Sequence, residues 1–258
     1  MQVRNRQRLT LPGCSSSGGS SGGSSGGSSS SDNTLAAVGM TKNQFRCVFN
    51  PSTNRDVLGR ANTAAMIDKH WTQFTSAASQ LNFRFGNLDE AAVFFGMVRH
   101  EYGGYLDDMR ENCARQGVAC RQYDTCRQGG NNYYGRGPLQ ISHCYNYEAM
   151  SQYVGVNLRS NPNALLDANN NLGWRASIAF WTRPEFNCQG TWEAVRAFPT
   201  CPAAARAGNI AAVSQRINGK VECNQNPRPA NQDNRVSWIQ NVRTSCFGLP
   251  RLTSNLYC

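Results

Sequence analysis

The chain has 258 residues, room for one or two domains with a sizeable core, and its 26 Lys and Arg against 16 Asp and Glu leave a formal net charge of +10. No run of five basic residues occurs, and the densest basic stretch, Val3 to Arg8, lies outside the globular part, so no nucleic-acid partner is expected. No segment approaches the roughly 18 consecutive apolar residues of a membrane-spanning helix, and His70, His100 and His143 stand at no metal-ligand spacing, so no membrane, metal or cofactor is expected.

In chain order, Met1 to Thr10 is polar and basic and lacks the apolar stretch of a signal peptide. The eleven cysteines are scattered rather than set in paired CxxC knuckles, a pattern that points to disulfides and a secreted, oxidising setting. That mismatch marks residues 1–14 as the remnant of a truncated upstream segment. Ser15 to Ser31 contains only Ser and Gly, and residues 15–33 read as a flexible tether spanning about 20 to 25 Å on average. Residues 34–258 carry the globular pattern.

The first helical signal is Asn62 to Leu81, with apolar residues at Ala64, Ala65, Ile67, Trp71, Phe74, Ala77 and Leu81 on one face. Asn87 and Glu90 have capping-box spacing and open a second helix through Ala91, Phe94, Val98 and Glu101. Asn161 to Arg183 reads as a turn, a short helical turn and a buried helix around Leu172 to Trp181. "NIAAVSQRI" and "RVSWIQNV" add amphipathic helices, and alternating runs are scarce, so the domain is predicted to be mainly α.

Glu101 stands out in that second helix. It shares the helical stripe of Ala91, Phe94 and Val98, and Gly103 and Gly104 end the helix just beyond it. A half-buried carboxyl at a helix C-terminus loses hydration and meets the negative end of the helix dipole, which favours the protonated form a general acid needs. The bland alternative is a surface Glu paired with Arg99 or Arg110. Asp107, Asp108, Glu111 and Asp124 follow as candidates for a second carboxylate, the pairing that glycosidic cleavage requires. "NNYYGRGPLQISHCYNY", Asn131 to Tyr147, then brings aromatic rings to stack on sugars and amides to hydrogen-bond them.

"HEYGG" at His100 to Gly104, "YYGRGPLQIS" at Tyr133 to Ser142, "YNY" at Tyr145 to Tyr147, "NPNALLD" at Asn161 to Asp167, "AFW" at Ala179 to Trp181 and "INGKVEC" at Ile217 to Cys223 together resemble the glycoside hydrolase family 19 chitinases. The resemblance covers about Phe94 to Cys258 and implies a lysozyme-like, mainly α-helical (α+β) domain, stapled by disulfides, with a long cleft. It implies an inverting endochitinase that hydrolyses β-1,4-N-acetylglucosamine linkages in chitin or chito-oligosaccharides, secreted and monomeric. Glu101 falls on the family's general acid and Ser142 on the residue that helps hold the attacking water. His100, Tyr134, Gln140, Tyr145, Asn146, Asn218 and Arg235 fall on substrate-binding or carboxylate-orienting positions, with Glu222 beside them. Cys223 and Cys258 match a family disulfide, and the segment before the tether is read as a remnant of a chitin-binding module.

The general base is where this sequence departs from the family. A compact alignment puts Asp108 there, a one-residue gap puts Glu111 there, and a long-loop alignment anchored on Cys120 lands on Asp124. Glu111 keeps the residue type and is favoured. Tyr102 stands where relatives usually carry Thr or Ser. Cys113, Cys120 and Cys126 are expected to pin the intervening loop, and Cys188 with Cys201 to close another. Two other functions fit the sequence: a catalytically weak chitinase-like glycan-binding protein, and a muramidase drawn by its charge to an anionic wall.

Overall fold

The computed structural model describes residues 35–50, 56, 58–120, 132–183, 186 and 197–258; the upstream remnant, the tether, Asp124, Cys126 and Cys188 lie outside them. The described α-helices are α1 (Lys42–Val48), α2 (Ala64–Gln80), α3 (Leu88–Tyr102), α4 (Asn112–Arg115), α5 (Cys144–Val154), α6 (Leu172–Thr182), α7 (Cys201–Arg206), α8 (Ile210–Glu222) and α9 (Ala230–Phe247). A 3-10 turn, Pro162–Leu166, supplies the predicted short helical turn before α6. Among the described residues, β structure is confined to isolated bridge positions, including those from Arg136 to Arg110 and to Ile141. None of the described helices is long and apolar enough to cross a membrane.

Local chemistry starts these helices. Thr41 and Thr63 turn their hydroxyls to the third backbone N–H of α1 and α2. Asn87 accepts from the Glu90 N–H at 2.9 Å to open α3. The Glu90 half of the expected capping box takes another partner, because its carboxylate is buried and must be neutralised. It accepts from the Gly86 N–H and from Arg206 Nη1, both at 2.9 Å, and from Trp181 Nε1 at 3.3 Å.

Helix α3 is the axis of the core. The sequence pattern predicts one apolar stripe, but Ala91 to Val98 are buried without interruption, as befits a helix that is apolar all round. Helix α9 packs directly on it at Gly96, where an added Cβ would stand 2.5 Å from the Ile239 Cα. On other sides Phe94 meets Trp181 at 5.3 Å between ring centroids, and Phe95 meets Phe74 at 5.3 Å and Phe45 at 5.6 Å. Disulfides close this core from outside. Cys47–Cys246 joins α1 to α9, Cys113–Cys120 closes the loop after α4, and Cys223–Cys258 ties the C-terminal tail to the end of α8. The expected bridge from Cys188 to Cys201 is not made: Cys201 is a free thiol buried in the core.

Candidate active site

The end of α3 delivers Glu101 to a charged network built from two other helices. Gly103 caps α3 in the left-handed conformation at φ 81°, as the double glycine predicts, so Glu101 lies in the last turn. Arg235, in the first turns of α9, donates from Nη1 to Glu101 Oε1 at 2.6 Å. The same guanidinium donates from Nε to Glu222 Oε2 at 2.9 Å and from Nη2 to Glu222 Oε1 at 2.5 Å. Arg235 and Glu222 are almost wholly buried, each side chain 1% exposed, whereas the Glu101 side chain keeps 17% of its surface. Glu101 thus pairs with neither Arg99 nor Arg110, the bland alternative, but with a partner 134 residues along the chain.

Asn218 completes the network from α8, donating to Glu222 Oε1 at 2.9 Å. Its own φ and ψ of −145° and 29° break the helix locally and mark the site as a kink. Burial alone would raise the Glu222 carboxyl, but the hydrogen bonds and charge of Arg235 outweigh it and hold the group below the ordinary carboxylate range. Burial first, and then the charge of Arg235, push His100 down to about 4, so the imidazole is neutral at neutral pH. The Glu101 Oε2, by contrast, accepts no hydrogen bond from any described residue.

Asn62 fixes the loop that leaves Glu101. This buried side chain donates to the carbonyl oxygens of Gly104 and Phe49 at 2.8 and 3.1 Å and accepts from the Leu106 N–H at 2.8 Å. No sequence motif singles Asn62 out, since its partners lie in other parts of the chain.

The loop leads to the candidate bases, which are placed very differently. Asp108 is buried and sits between Arg110 Nε at 2.6 Å and Arg60 Nη2 at 3.0 Å. Burial would raise its carboxyl, yet these two arginines hold it below the ordinary range. Asp107 pairs with Lys69 at 2.6 Å and with the buried His70 at 3.2 Å. Glu111 caps the turn into α4 and faces the YYGRGP loop: its N–H donates to the Gly135 oxygen at 2.8 Å, and the Gly135 N–H donates back to Glu111 Oε2 at 3.1 Å.

The YYGRGP loop is rigid for readable reasons. Arg136 is buried and donates to Asn163 Oδ1, to the backbone oxygens of Asn132 and Tyr134 and to the Tyr147 hydroxyl. Its guanidinium also lies 3.6 Å from the centroid of the Tyr134 ring. Gln140 Nε2 donates to the oxygens of Met109 and Gly137, which joins the loop to the segment between Glu101 and Glu111. Asn146 donates to the Ser142 oxygen at 2.9 Å, and Tyr145, 56% exposed, stacks on His143 at 5.5 Å.

The sequence-predicted residues thus fall into two groups: Glu101 with His100, Asn218, Glu222 and Arg235, and Glu111 with Tyr134 and Gln140 around Gly135. Ser142, Tyr145 and Asn146 follow on the same loop and the start of α5. A separate hollow, lined by His70, Gln73, Asp107, Met109, Asp167 and Trp174 among others, includes neither Glu101 nor Glu111. No described cluster of His, Cys, Asp and Glu is arranged to hold a metal ion.

Known proteins are similar to much of this chain. The family model described as chitinase class I, of glycoside hydrolase family 19, matches residues 87–247. An endochitinase of Pisum sativum is 34% identical over 125 residues, covering 47% of this chain and 37% of its own length. An acidic endochitinase of Solanum chilense is 33% identical over 152 residues, covering 55% of each. The chain thus spans about half the length, or less, of these plant relatives. The crystal structure of chitinase C from Streptomyces griseus HUT6037 superposes with a TM-score of 0.57 at 26% identity, covering 86% of this chain and 80% of that one. With the family model spanning more than half of its residues, the chain belongs to the glycoside hydrolase family 19 chitinases.

Proposed function

We propose that this chain is a secreted, monomeric endochitinase that hydrolyses β-1,4-N-acetylglucosamine linkages with inversion, its catalytic domain following a flexible tether at residues 15–33. Glu101 protonates the glycosidic oxygen while Glu111 takes a proton from a water that attacks the opposite face of the ring. Ser142 helps hold that water. Tyr134, Tyr145, Asn146, Asn218 and His100 contact the sugars, with Arg235 orienting Glu101.

The observation that carries this reading is the contrast between two carboxyls. Arg235 grips one oxygen of Glu101 and leaves the other without a described partner, while Glu111, rather than the doubly paired Asp108, faces the glycine-rich loop. Family membership supplies the substrate class. The test is hydrolysis of chitin hexamer by the wild type, Glu111→Ala and Asp108→Asn. Turnover that falls with Glu111→Ala and survives Asp108→Asn supports the assignment. Binding of the hexamer by wild type without hydrolysis would replace it with the glycan-binding reading.

A further inference from the structure

The first two turns of α9 grip Glu222 twice. Arg235 holds its carboxylate through Nε and Nη2, at 2.9 and 2.5 Å. Gln232, three residues earlier and therefore on the same face of the helix, donates from Nε2 to the Glu222 backbone oxygen at 3.0 Å. Glu222 is the last residue of α8, where a carbonyl has no partner within its own helix. The Gln232 amide takes the place of that missing donor.

Gln232 is wholly buried. Its Nε2 also lies 3.1 Å from the Cys258 sulfur and 3.5 Å from the Cys258 oxygen, and the Cys223–Cys258 bridge joins that tail to the residue after Glu222. These acceptors set the orientation of the amide, since exchanging its oxygen and nitrogen would turn an acceptor toward two carbonyl oxygens. Oε1 is then left buried with no donor among the described residues. An unmet acceptor costs stability that an apolar side chain of the same size would not. The contribution of the amide therefore lies in what Nε2 holds.

From Glu222 the contacts lead on to Glu101. Asn218, at the kink of α8, donates to Glu222 Oε1 at 2.9 Å, Arg235 bridges both Glu222 oxygens, and its Nη1 donates to Glu101 Oε1 at 2.6 Å. A guanidinium is planar and rigid, so the direction of its two bonds to Glu222 fixes the direction of the third. We propose that Gln232 is a positioning residue for the reaction: by holding the backbone of Glu222 it places the carboxylate that orients Arg235, and through Arg235 it aims the carboxyl of Glu101. The proposal rests on the reading of Glu101 as the proton donor. Gln232 takes no part in the bonds that break or form.

Gln232→Met keeps the length of the side chain and removes the donor. On chitin hexamer its kcat should fall about 10-fold with KM within about 2-fold of wild type, because sugar binding is kept while the proton donor is misaimed. In a Glu222→Ala background the same substitution should change kcat by less than about 2-fold, since the link it acts through is already gone. An equal loss in both backgrounds would mean that Gln232 acts by another route, such as the C-terminal tail, and overturns the proposal. A Gln232→Met variant with the kcat of wild type overturns it as well. Glu101→Gln separates the two ideas: lost turnover there keeps Glu101 as the proton donor even where the Gln232 prediction fails, and full turnover overturns both. Whether or not the variants fold, the side-chain amide protons of Gln232 in the wild type should exchange with water at least about 100-fold more slowly than those of exposed glutamines, followed by NMR. Exchange at the exposed rate overturns the proposal.

Discussion

Arg235 satisfies two carboxylates at once, and the division of its donors defines the roles of each. Two of its nitrogens serve Glu222, and one serves Glu101. Glu222 is thereby a buried counter-charge, and Glu101 is an oriented carboxyl with partial solvent access, its second oxygen accepting from no described residue. Replacing Glu101 by Gln keeps the hydrogen-bonding shape and removes the proposed proton donor. Its kcat on chitin hexamer should fall by about 10²- to 10⁴-fold while oligosaccharide binding, followed by calorimetry, persists. Asp108→Asn should behave in the opposite way. It leaves Arg60 and Arg110 without their shared carboxylate, so the loss should appear as about 1 to 3 kcal/mol of stability in denaturant unfolding, with kcat little changed. Glu101 was legible from helix phase and its following glycines because both are local. Arg235 was visible as its partner only through family resemblance, since α9 reaches α3 through tertiary packing that no local pattern encodes.

Between helices, placement of the site depends on how closely α9 approaches α3. Gly96 permits that approach by leaving the Ile239 backbone unobstructed, and Arg235 lies about one helical turn earlier on the same helix. Gly96→Val should force the two helices apart at a cost of about 1 to 3 kcal/mol. It should also lower kcat more than it raises KM, because the Arg235 to Glu101 bond spans that interface. Thermal melts and steady-state kinetics on one preparation would separate these effects. Helices α2, α3 and α6 follow the predicted segments closely, since their apolar periodicity is a strong signal, whereas α8 and α9 run well past the segments Asn209 to Ile217 and Arg235 to Val242. Helices α1, α4, α5 and α7 were not predicted; α4 and α7, of four and six residues, carry too little periodicity to be recognised, and the Cys113–Cys120 bridge holds α4 in place.

For the molecule as a whole, the chain combines a basic net charge with paired acidic groups. Asp56, Asp68, Asp107, Asp108 and Glu222 are all held below their ordinary range by arginine, lysine or histidine partners, against the burial that would raise the more enclosed of them. Each binds protons more weakly when folded than when unfolded. Their stabilisation is therefore complete above the unfolded carboxylate range near about 4, and it is lost as pH falls through the lower folded values. Thermal melts should show a flat Tm through the neutral range and a steep decline below about pH 4, a decline that weakens when Glu222 is replaced by Gln. A Tm that rose on acidification would contradict these pairings. The mainly α fold, the Cys223–Cys258 bridge and both halves of the site were present in the sequence as motifs. What was missing was the distribution of charge partners, which sets the doubly paired Asp108 apart from Glu111 and is fixed only when Arg60 and Arg110 converge from separate segments.

In the proposed reaction Glu101 and Glu111 act across a water rather than through a covalent glycosyl intermediate. The most direct measurement is proton NMR of chitin hexamer in the first minutes of hydrolysis, before the new reducing ends mutarotate. Initial products should be in the α-anomeric form, with the signal lost in both Glu101→Gln and Glu111→Ala. Initial β-anomers, or full activity in Glu111→Ala, would contradict it.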